Sequence, residues 1–301
     1  MGRISRFMII QHMKPQIIKH LKELNENVYS IGDLQSILNE NRERWTIPKV
    51  TTANEFIGVL KDKGVIEEVI ITTTQRKIIK YIFEEASPYD IAISLRMGSY
   101  LSHFSAVFSH QLTENVPKTI YTNLEQSPKP TGDRDEVLQQ NNIDLAFSRV
   151  MRLTNQKASF NFRGKEYKVF LLNGKHQNRL GVEKLSAFNL SKPSDVTNIE
   201  RTLIDIVVRP VYSGGVEEVL QAFKEAKGTF SVNRLLSYLK KMDFIYPYHQ
   251  LIGFYLEKAG YEERVLNLLN KLEIKHNFYL TYQIPEKEYS ERWRVFYPKG
   301  L

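Results

Sequence analysis

Within its first 80 or so residues the chain sets three short amphipathic segments ahead of two β-branched runs, residues 65–71 and 77–83, which are separated only by Thr72, Thr73, Thr74, Gln75 and Arg76. None of these pieces can bury its apolar face alone, so they must close into a small helical layer with a hairpin against it. The first segment carries Ile17, Ile18, Leu21 and Leu24 at helical spacing, with Lys14, Lys19, Lys22 and Glu23 between them. One face is buried and the other wet. Ser30 is placed to accept from the free amides of a second helix, whose stripe is Ile31, Leu34, Ile37 and Leu38 and which ends near Asn39 to Asn41. A loop over residues 42–50 follows, held out of helix by Pro48. Thr51 or Thr52 then caps a third helix that runs to about Lys63 and stops at Gly64, where a left-handed residue is needed.

The third helix has two distinct faces. Phe56, Val59 and Leu60 form its buried stripe, while Thr52, Asn54, Glu55, Gly58 and Lys61 lie opposite, a small and polar set. Asn pairs bidentately with adenine, Thr touches a thymine methyl, and Lys reaches guanine or phosphate. Three helices followed by a hairpin with a cationic tip is the order of a winged helix-turn-helix, which lays one helix in a groove and rests the hairpin on flanking phosphates. On that basis Thr51, Thr52, Asn54 and Lys61 are expected in the groove of double-stranded DNA. Arg42, Arg44, Lys49, Lys63, Arg76 and Lys77 are expected on phosphate. Residues 1–80 hold 13 Lys and Arg against 9 Asp and Glu, so they carry half of the chain's formal +8. The sign suits phosphate, although the density is below that of a strongly basic arm. The same order also serves protein-docking modules, in which the polar helix face is simply solvated.

The rest of the 301 residues predicts an α+β chain: a winged helix-turn-helix over 1–85, then a region 86–301 that is mixed α+β before turning into a helical bundle, with a subdivision near 190. Ser87-Pro88 marks the junction. Helices are expected over 89–95 and over 102–112 with Ser102 as cap, a strand over 118–123, and a loop over 125–134. Residues 144–151 mix helix and strand signals. Residues 158–162 and 166–172 alternate around Arg163-Gly164-Lys165 and predict a hairpin. Five helices are expected over 198–208, 216–226, 232–242, 248–259 and 262–272. Strands over 277–282 and 292–297 are expected to return to the central sheet. The chain has no cysteine, which excludes disulfides and thiolate zinc sites. No stretch approaches the ~20 apolar residues of a bilayer span. The N-terminal apolar run is too short for a secretory core, and Arg6 stands where a myristoylation signal wants Ser or Thr. A soluble, cytoplasmic protein with no membrane partner is expected.

Two segments carry a resemblance. Gly98-Ser-Tyr-Leu-Ser-His-Phe-Ser-Ala-Val-Phe-Ser-His-Gln-Leu-Thr with Val116-Pro-Lys-Thr-Ile-Tyr-Thr-Asn, and Ile199-Glu-Arg-Thr-Leu-Ile-Asp-Ile-Val-Val-Arg-Pro-Val-Tyr-Ser-Gly-Gly-Val-Glu-Glu-Val, resemble AbiEi-type antitoxins, transcriptional regulators of abortive-infection phage defence. The resemblance implies a type IV toxin-antitoxin system. Its N-terminal domain would bind inverted repeats in its own promoter, and its C-terminal domain would counteract a nucleotidyltransferase-like toxin, with or without a stable complex. It also places Glu200, Arg201, Asp205, Arg209, Pro210, Gly214 and Gly215 in the family's second motif. From the residues alone that motif is mostly architectural, with a direct toxin-facing role as the alternative: Arg201 with Asp205, and Asp205 with Arg209, are four apart and can pair on a helix face. Pro210 ends the helix, and Gly214-Gly215 permits a sharp turn.

Signals for catalysis are few. Glu166-Tyr167-Lys168 has the acid-x-lysine spacing of a metal-dependent nuclease, with Asp133, Asp135 and Asp144 as conceivable partners, but an alternating polar hairpin explains the same residues. His103 and His110 are seven apart on one helix, with no acidic or cysteine ligand beside them. No phosphate-binding loop, nucleophile elbow or His-Glu-x-x-His motif occurs. The chain is expected not to be an enzyme and to need no cofactor or metal. Two alternatives stay open: a transcriptional regulator with a ligand- or partner-sensing C-terminal region, and, less favoured, a Mg²⁺-dependent nuclease.

Overall fold

The computed structural model describes residues 5–24, 26–128 and 138–301. In chain order the elements begin with α1 (Arg6–Glu23), β1 (Val28–Tyr29), α2 (Ile31–Asn41), α3 (Ala53–Asp62), β2 (Ile66–Thr73), β3 (Lys77–Phe83) and α4 (Pro88–Ile93). Next come β4 (Tyr100–Leu101), α5 (His103–Ser109), β5 (Thr119–Glu125), α6 (Gln140–Ser148), β6 (Lys157–Phe162), β7 (Lys165–Gly174), β8 (Val182–Leu185) and β9 (Ser194–Thr197). The chain closes with α7 (Ile199–Val208), α8 (Val216–Glu225), α9 (Val232–Met242), α10 (Tyr248–Lys258), α11 (Glu263–Asn270), β10 (Phe278–Tyr279), β11 (Lys287–Ser290) and β12 (Val295–Pro298). The fold is mixed α+β. Two compact units emerge: one takes Met1–Met97 with Gln156–Phe170 and Ser186–Ser194, the other Gly98–Asn155, Leu171–Leu185 and Asp195–Leu301. A single boundary at 85 therefore does not describe the N-terminal unit, which recruits a hairpin and a loop from much later in the chain.

In that unit, two helix starts are built from capping boxes. Ser30 accepts from the Asp33 amide while the Asp33 carboxylate accepts from the Ser30 amide, and Thr52 and Glu55 do the same at α3. Thr52, not Thr51, is the cap. Gly64 has φ +63°, the left-handed turn expected after α3. The first helix begins at Arg6, well before the predicted stripe, and runs through Pro15. Proline's missing amide leaves only the carbonyl of exposed Gln11 without its helical partner, where water can serve it. Ile10, Ile17 and Leu21 of α1, Leu34 and Leu38 of α2, Phe56 and Leu60 of α3, and Ile66, Tyr81 and Phe83 of the hairpin share one core. Trp45 is fully buried, stacks on Phe56 at 6.0 Å and fixes the loop between α2 and α3. The β2–β3 hairpin pairs antiparallel over Ile66–Phe83 to Thr72–Lys77, with β1 on the β3 side and β6 on the β2 side.

The second unit orders its strands β7–β5–β4–β9–β8 and packs five helices, α7 to α11, around a shared apolar core. Every residue of α7 from Glu200 to Val207 is buried, so this helix is the hub. Of residues 144–151, whose signals conflict, 144–148 complete helix α6 (140–148) and 149–151 follow its end without helix or strand. The C-terminal strands do not return to a central sheet: β10, β12 and β11 make a separate three-stranded sheet. They are anchored by Trp293, fully buried against α10, where a Cβ on Gly253 would lie 2.3 Å from the indole ring. Only glycine lets the ring sit there.

Candidate nucleic-acid interface

Asn54, Gly58 and Lys61 fall at i, i+4 and i+7 on α3 and line one outward stripe, with Asn54 and Lys61 exposed. A Cβ built on Gly58 meets nothing within 4 Å, so no neighbour among the described residues demands glycine there. A mid-helix glycine costs about 1 kcal/mol against alanine, and here no close packing offsets it. Thr52 is exposed at the head of this stripe, and its hydroxyl accepts from the Glu55 amide, leaving its proton free to donate. A shallow depression of about 370 Å³, lined by Ile31, Gly32, Gln35, Thr52, Ala53 and Asn54, joins the N-termini of α2 and α3. Two helix starts thus face one hollow.

Not all the residues expected at DNA are exposed and free to reach a ligand. Thr51 is 1% exposed and belongs to the interior. Arg42 is spent on the chain: its guanidinium donates to Asn39 Oδ1 at 3.1 Å and to the carbonyls of Pro48 and Thr51 at 3.0 and 2.9 Å. It holds the α2–α3 loop. Lys61 pairs with Glu68 of β2, which raises the Lys61 ammonium above the ordinary lysine range. Arg44, Lys49, Lys63, Arg76 and Lys77 are exposed and pair with no carboxylate among the described residues. The hairpin tip is rigid: the Thr73 hydroxyl accepts from the amides of Gln75 and Arg76 and donates to the Arg76 carbonyl at 2.7 Å. Its edge is not free, because Ile71, Thr72 and Thr73 pair with Phe160, Ser159 and Ala158 of β6. Lys157 and Lys168 of the β6–β7 hairpin thereby join the sheet, as the strand pattern alone could not tell. Their alternation was visible in the sequence, but its partner strand was not.

Glu200, Arg201 and Asp205 of the second motif are buried, whereas Arg209 and Gly215 are half-buried and Gly214 is exposed. Arg201 Nε meets Asp205 Oδ1 at 2.8 Å with both residues under 10% exposed, and Arg201 also donates to the Leu180 carbonyl at 2.8 Å. Asp205 does not pair with the Arg209 side chain; the helix contributes only a backbone bond between them. The Glu200 carboxylate accepts from the Ser231 amide at 3.0 Å at the start of α9 and faces Arg234 at 3.6 Å. Glu200, His110, Glu183 and Arg234 also line a cavity of about 450 Å³. Gly214 and Gly215, at φ +82° and +99°, make the turn into α8 that the motif predicted.

The remaining chemical signals are placed in ordinary structure. Glu166 and Lys168 stand exposed on β7. Asp144 accepts from Gln140 and Tyr279 at 2.8 and 2.9 Å, while Asp133, Asp135 and most of the loop expected over 125–134 lie outside the described residues. Among the described residues no group of three or more potential ligands could hold a metal ion. His110 Nε2 lies 2.6 Å from the Thr197 carbonyl, and His103 Nδ1 lies 2.9 Å from Ser102 Oγ. Burial pushes the His103 imidazole down to about 4, with Asp205 opposing the shift and Arg201 and Arg209 adding to it. The unfolded chain takes up this proton near pH 6.5. Stability is therefore intact above that value, falls as pH drops toward about 4, and levels off below it, a full loss of about 3 kcal/mol. Denaturant titrations of His103→Gln should be flatter over this window; an unchanged slope would assign the effect to His110 and His249, which burial also lowers.

No family profile matches the chain, and no curated protein matches it. Among solved structures it is similar to the crystal structure of the RV2827C protein from Mycobacterium tuberculosis, at 14% identity and a TM-score of 0.59, over 98% of this chain and 92% of that one. The likeness extends to the fold. No described helix is long and apolar enough to cross a membrane.

Proposed function

We propose that the chain is a DNA-binding repressor of its own operon, in which α1 to α3 and the β2–β3 hairpin act as a winged helix-turn-helix. We also propose that it is the cytoplasmic antitoxin of a type IV system, counteracting a nucleotidyltransferase-like toxin. The observation that carries the DNA reading is the outward stripe of α3, where Asn54 and Lys61 flank a glycine that no neighbour among the described residues requires. A base edge or sugar can approach that surface closely. The antitoxin reading rests on the resemblance of residues 98–113, 116–123 and 199–219 to AbiEi-type antitoxins.

Replacing Gly58 by alanine separates the two roles that position can have. The expected result is a gain of up to about 1 kcal/mol in stability together with weaker binding to duplex DNA from upstream of the reading frame. Gel-shift and urea titrations read both quantities, and unchanged DNA affinity would remove this helix from the groove. Co-expression of the full chain with the neighbouring reading frame tests the antitoxin: growth arrest relieved by the chain supports it, and absence of any toxicity overturns it. A ligand-sensing regulator is the second reading, favoured by the cavity at Glu200, His110, Glu183 and Arg234.

A further inference from the structure

We infer that the DNA-facing surface does not end at the β2–β3 hairpin but continues across β6 and β7, where Lys157 and Lys168 are phosphate-contacting residues. The inference rests on the DNA reading above and names a part of the interface lying outside residues 1–85.

Cross-strand register builds the surface. Lys77 pairs with Thr72, Thr72 with Ser159, and Ser159 with Lys168, so these four side chains form one row across β3, β2, β6 and β7 on one face of the sheet. Residues two apart on a strand share a face. By that rule Ile70 and Ile79, then Glu68 and Tyr81, then Ile66 and Phe83, continue the same face toward the helices. Ile66, Tyr81 and Phe83 are buried with Phe56 and Leu60 of α3, and Glu68 is paired to Lys61. The face that packs against α3 at its base is therefore the face that projects beyond α3 with Ile70, Ile79 and the lysine row exposed. The outward stripe of α3 runs through Lys61 directly onto it.

Charge decides what this face fits. Lys77, Lys157 and Lys168 are exposed on it and pair with no carboxylate among the described residues, and Arg76 stands at the tip beside them. Lys157 lies over the Phe170 ring at 4.9 Å, which holds its stem down while its ammonium stays exposed. Among the described residues of these strands, the opposing charges on this face are Glu68, already held by Lys61, and Glu166, opposite Asn161. The balance is cationic. Three inter-strand spacings put Lys77 and Lys168 about 14 Å apart, a length over which duplex DNA carries about eight phosphates. Exposed Ile70 and Ile79 give the row an apolar floor suited to deoxyribose. Lys168, whose spacing from Glu166 suggested nuclease chemistry, thus acts by charge alone.

The test is a salt titration of full-length protein on a short duplex from upstream of its reading frame and on an unrelated duplex of the same length. Lys157→Ala with Lys168→Ala is expected to reduce the slope of log K against log salt by about 1.8 on both duplexes, whereas Lys157→Arg with Lys168→Arg keeps the slope. Both lysines are exposed, and a matching melting curve confirms that the alanine variant folds. Wild-type binding with an unchanged slope in the alanine variant overturns the extended surface and leaves the α3 reading standing. No binding of either duplex by the wild-type chain overturns both. Dimerisation lost in the alanine variant, with DNA binding unchanged, assigns the face to a second copy and overturns it as well.

Discussion

Replacing Asp205 by alanine is expected to cost about 3–5 kcal/mol of stability, the range for removing one partner of a buried ion pair. Arg201 is 3% exposed and Asp205 7%, so the guanidinium cannot turn to water once the carboxylate is gone. Its remaining partner on the helix side is the Leu180 carbonyl, which satisfies one N–H and no charge. The loop beside it leaves no room to rearrange, since a Cβ on Gly181 would already sit 2.8 Å from Arg201 Cβ. Asp205 Oδ2 finds no hydrogen-bond partner among the described residues, so the carboxylate is itself costly and is held by the arginine alone. Exchanging both, Arg201→Met with Asp205→Leu, should recover most of the loss, because well-packed apolar residues replace buried pairs at little cost. Urea unfolding of the three proteins decides it. A single variant within about 1 kcal/mol of wild type would mean that the pair behaves as a surface pair. The larger loss would make the second motif a scaffold: α7 centres the bundle, and Glu200 on the same helix fastens the start of α9.

The parts legible in the sequence were those whose physics is local. Helices α7 to α11 each carry an apolar stripe bounded by a break, and the capping boxes at Ser30 and Thr52 announce α2 and α3 within four residues. The β6–β7 hairpin was legible because Arg163 and Gly164, at φ +48° and +75°, supply the left-handed pair that a two-residue turn needs. Nothing comparable announces that β2 pairs with β6, whose residues lie far along the chain. An edge strand chooses its partner by tertiary packing rather than by its own pattern. The same missing information left Lys157 and Lys168 unconnected to the β2–β3 hairpin and sent the C-terminal strands to the wrong sheet. Arg42 is placed differently for another reason: a cation that looks free in the sequence is drawn onto the Asn39 side chain of α2 and the carbonyls of Pro48 and Thr51 in the following loop. Thr51 and Thr52 are both caps by residue type, but only Thr52 has a Glu three residues on, and the capping geometry buries the one and presents the other.

Replacements of Asn54 and Arg76 should fail in different ways, and that difference is the sharpest test of the DNA interface proposed for the N-terminal unit. Asn54 is exposed beside the start of α3, uncharged, and able to donate and accept together, so its contribution lies in base discrimination. Asn54→Ala is expected to lose about 1–3 kcal/mol on the operator, or roughly 5- to 150-fold, with little change on unrelated DNA and none in salt slope. Arg76 sits on a tip fixed by the Thr73 hydroxyl, exposed and without a carboxylate partner among the described residues, so the role proposed for it is charge at a set place. Arg76→Ala should weaken operator and unrelated DNA alike and lower the salt slope by about 0.9. Lys61→Ala should do less, because its ammonium is already engaged by Glu68 and its loss frees a carboxylate at the interface. Paired salt titrations on both duplexes separate these outcomes. Equal, sequence-independent losses for Asn54→Ala and Arg76→Ala would mean that α3 rides on the backbone and reads no base.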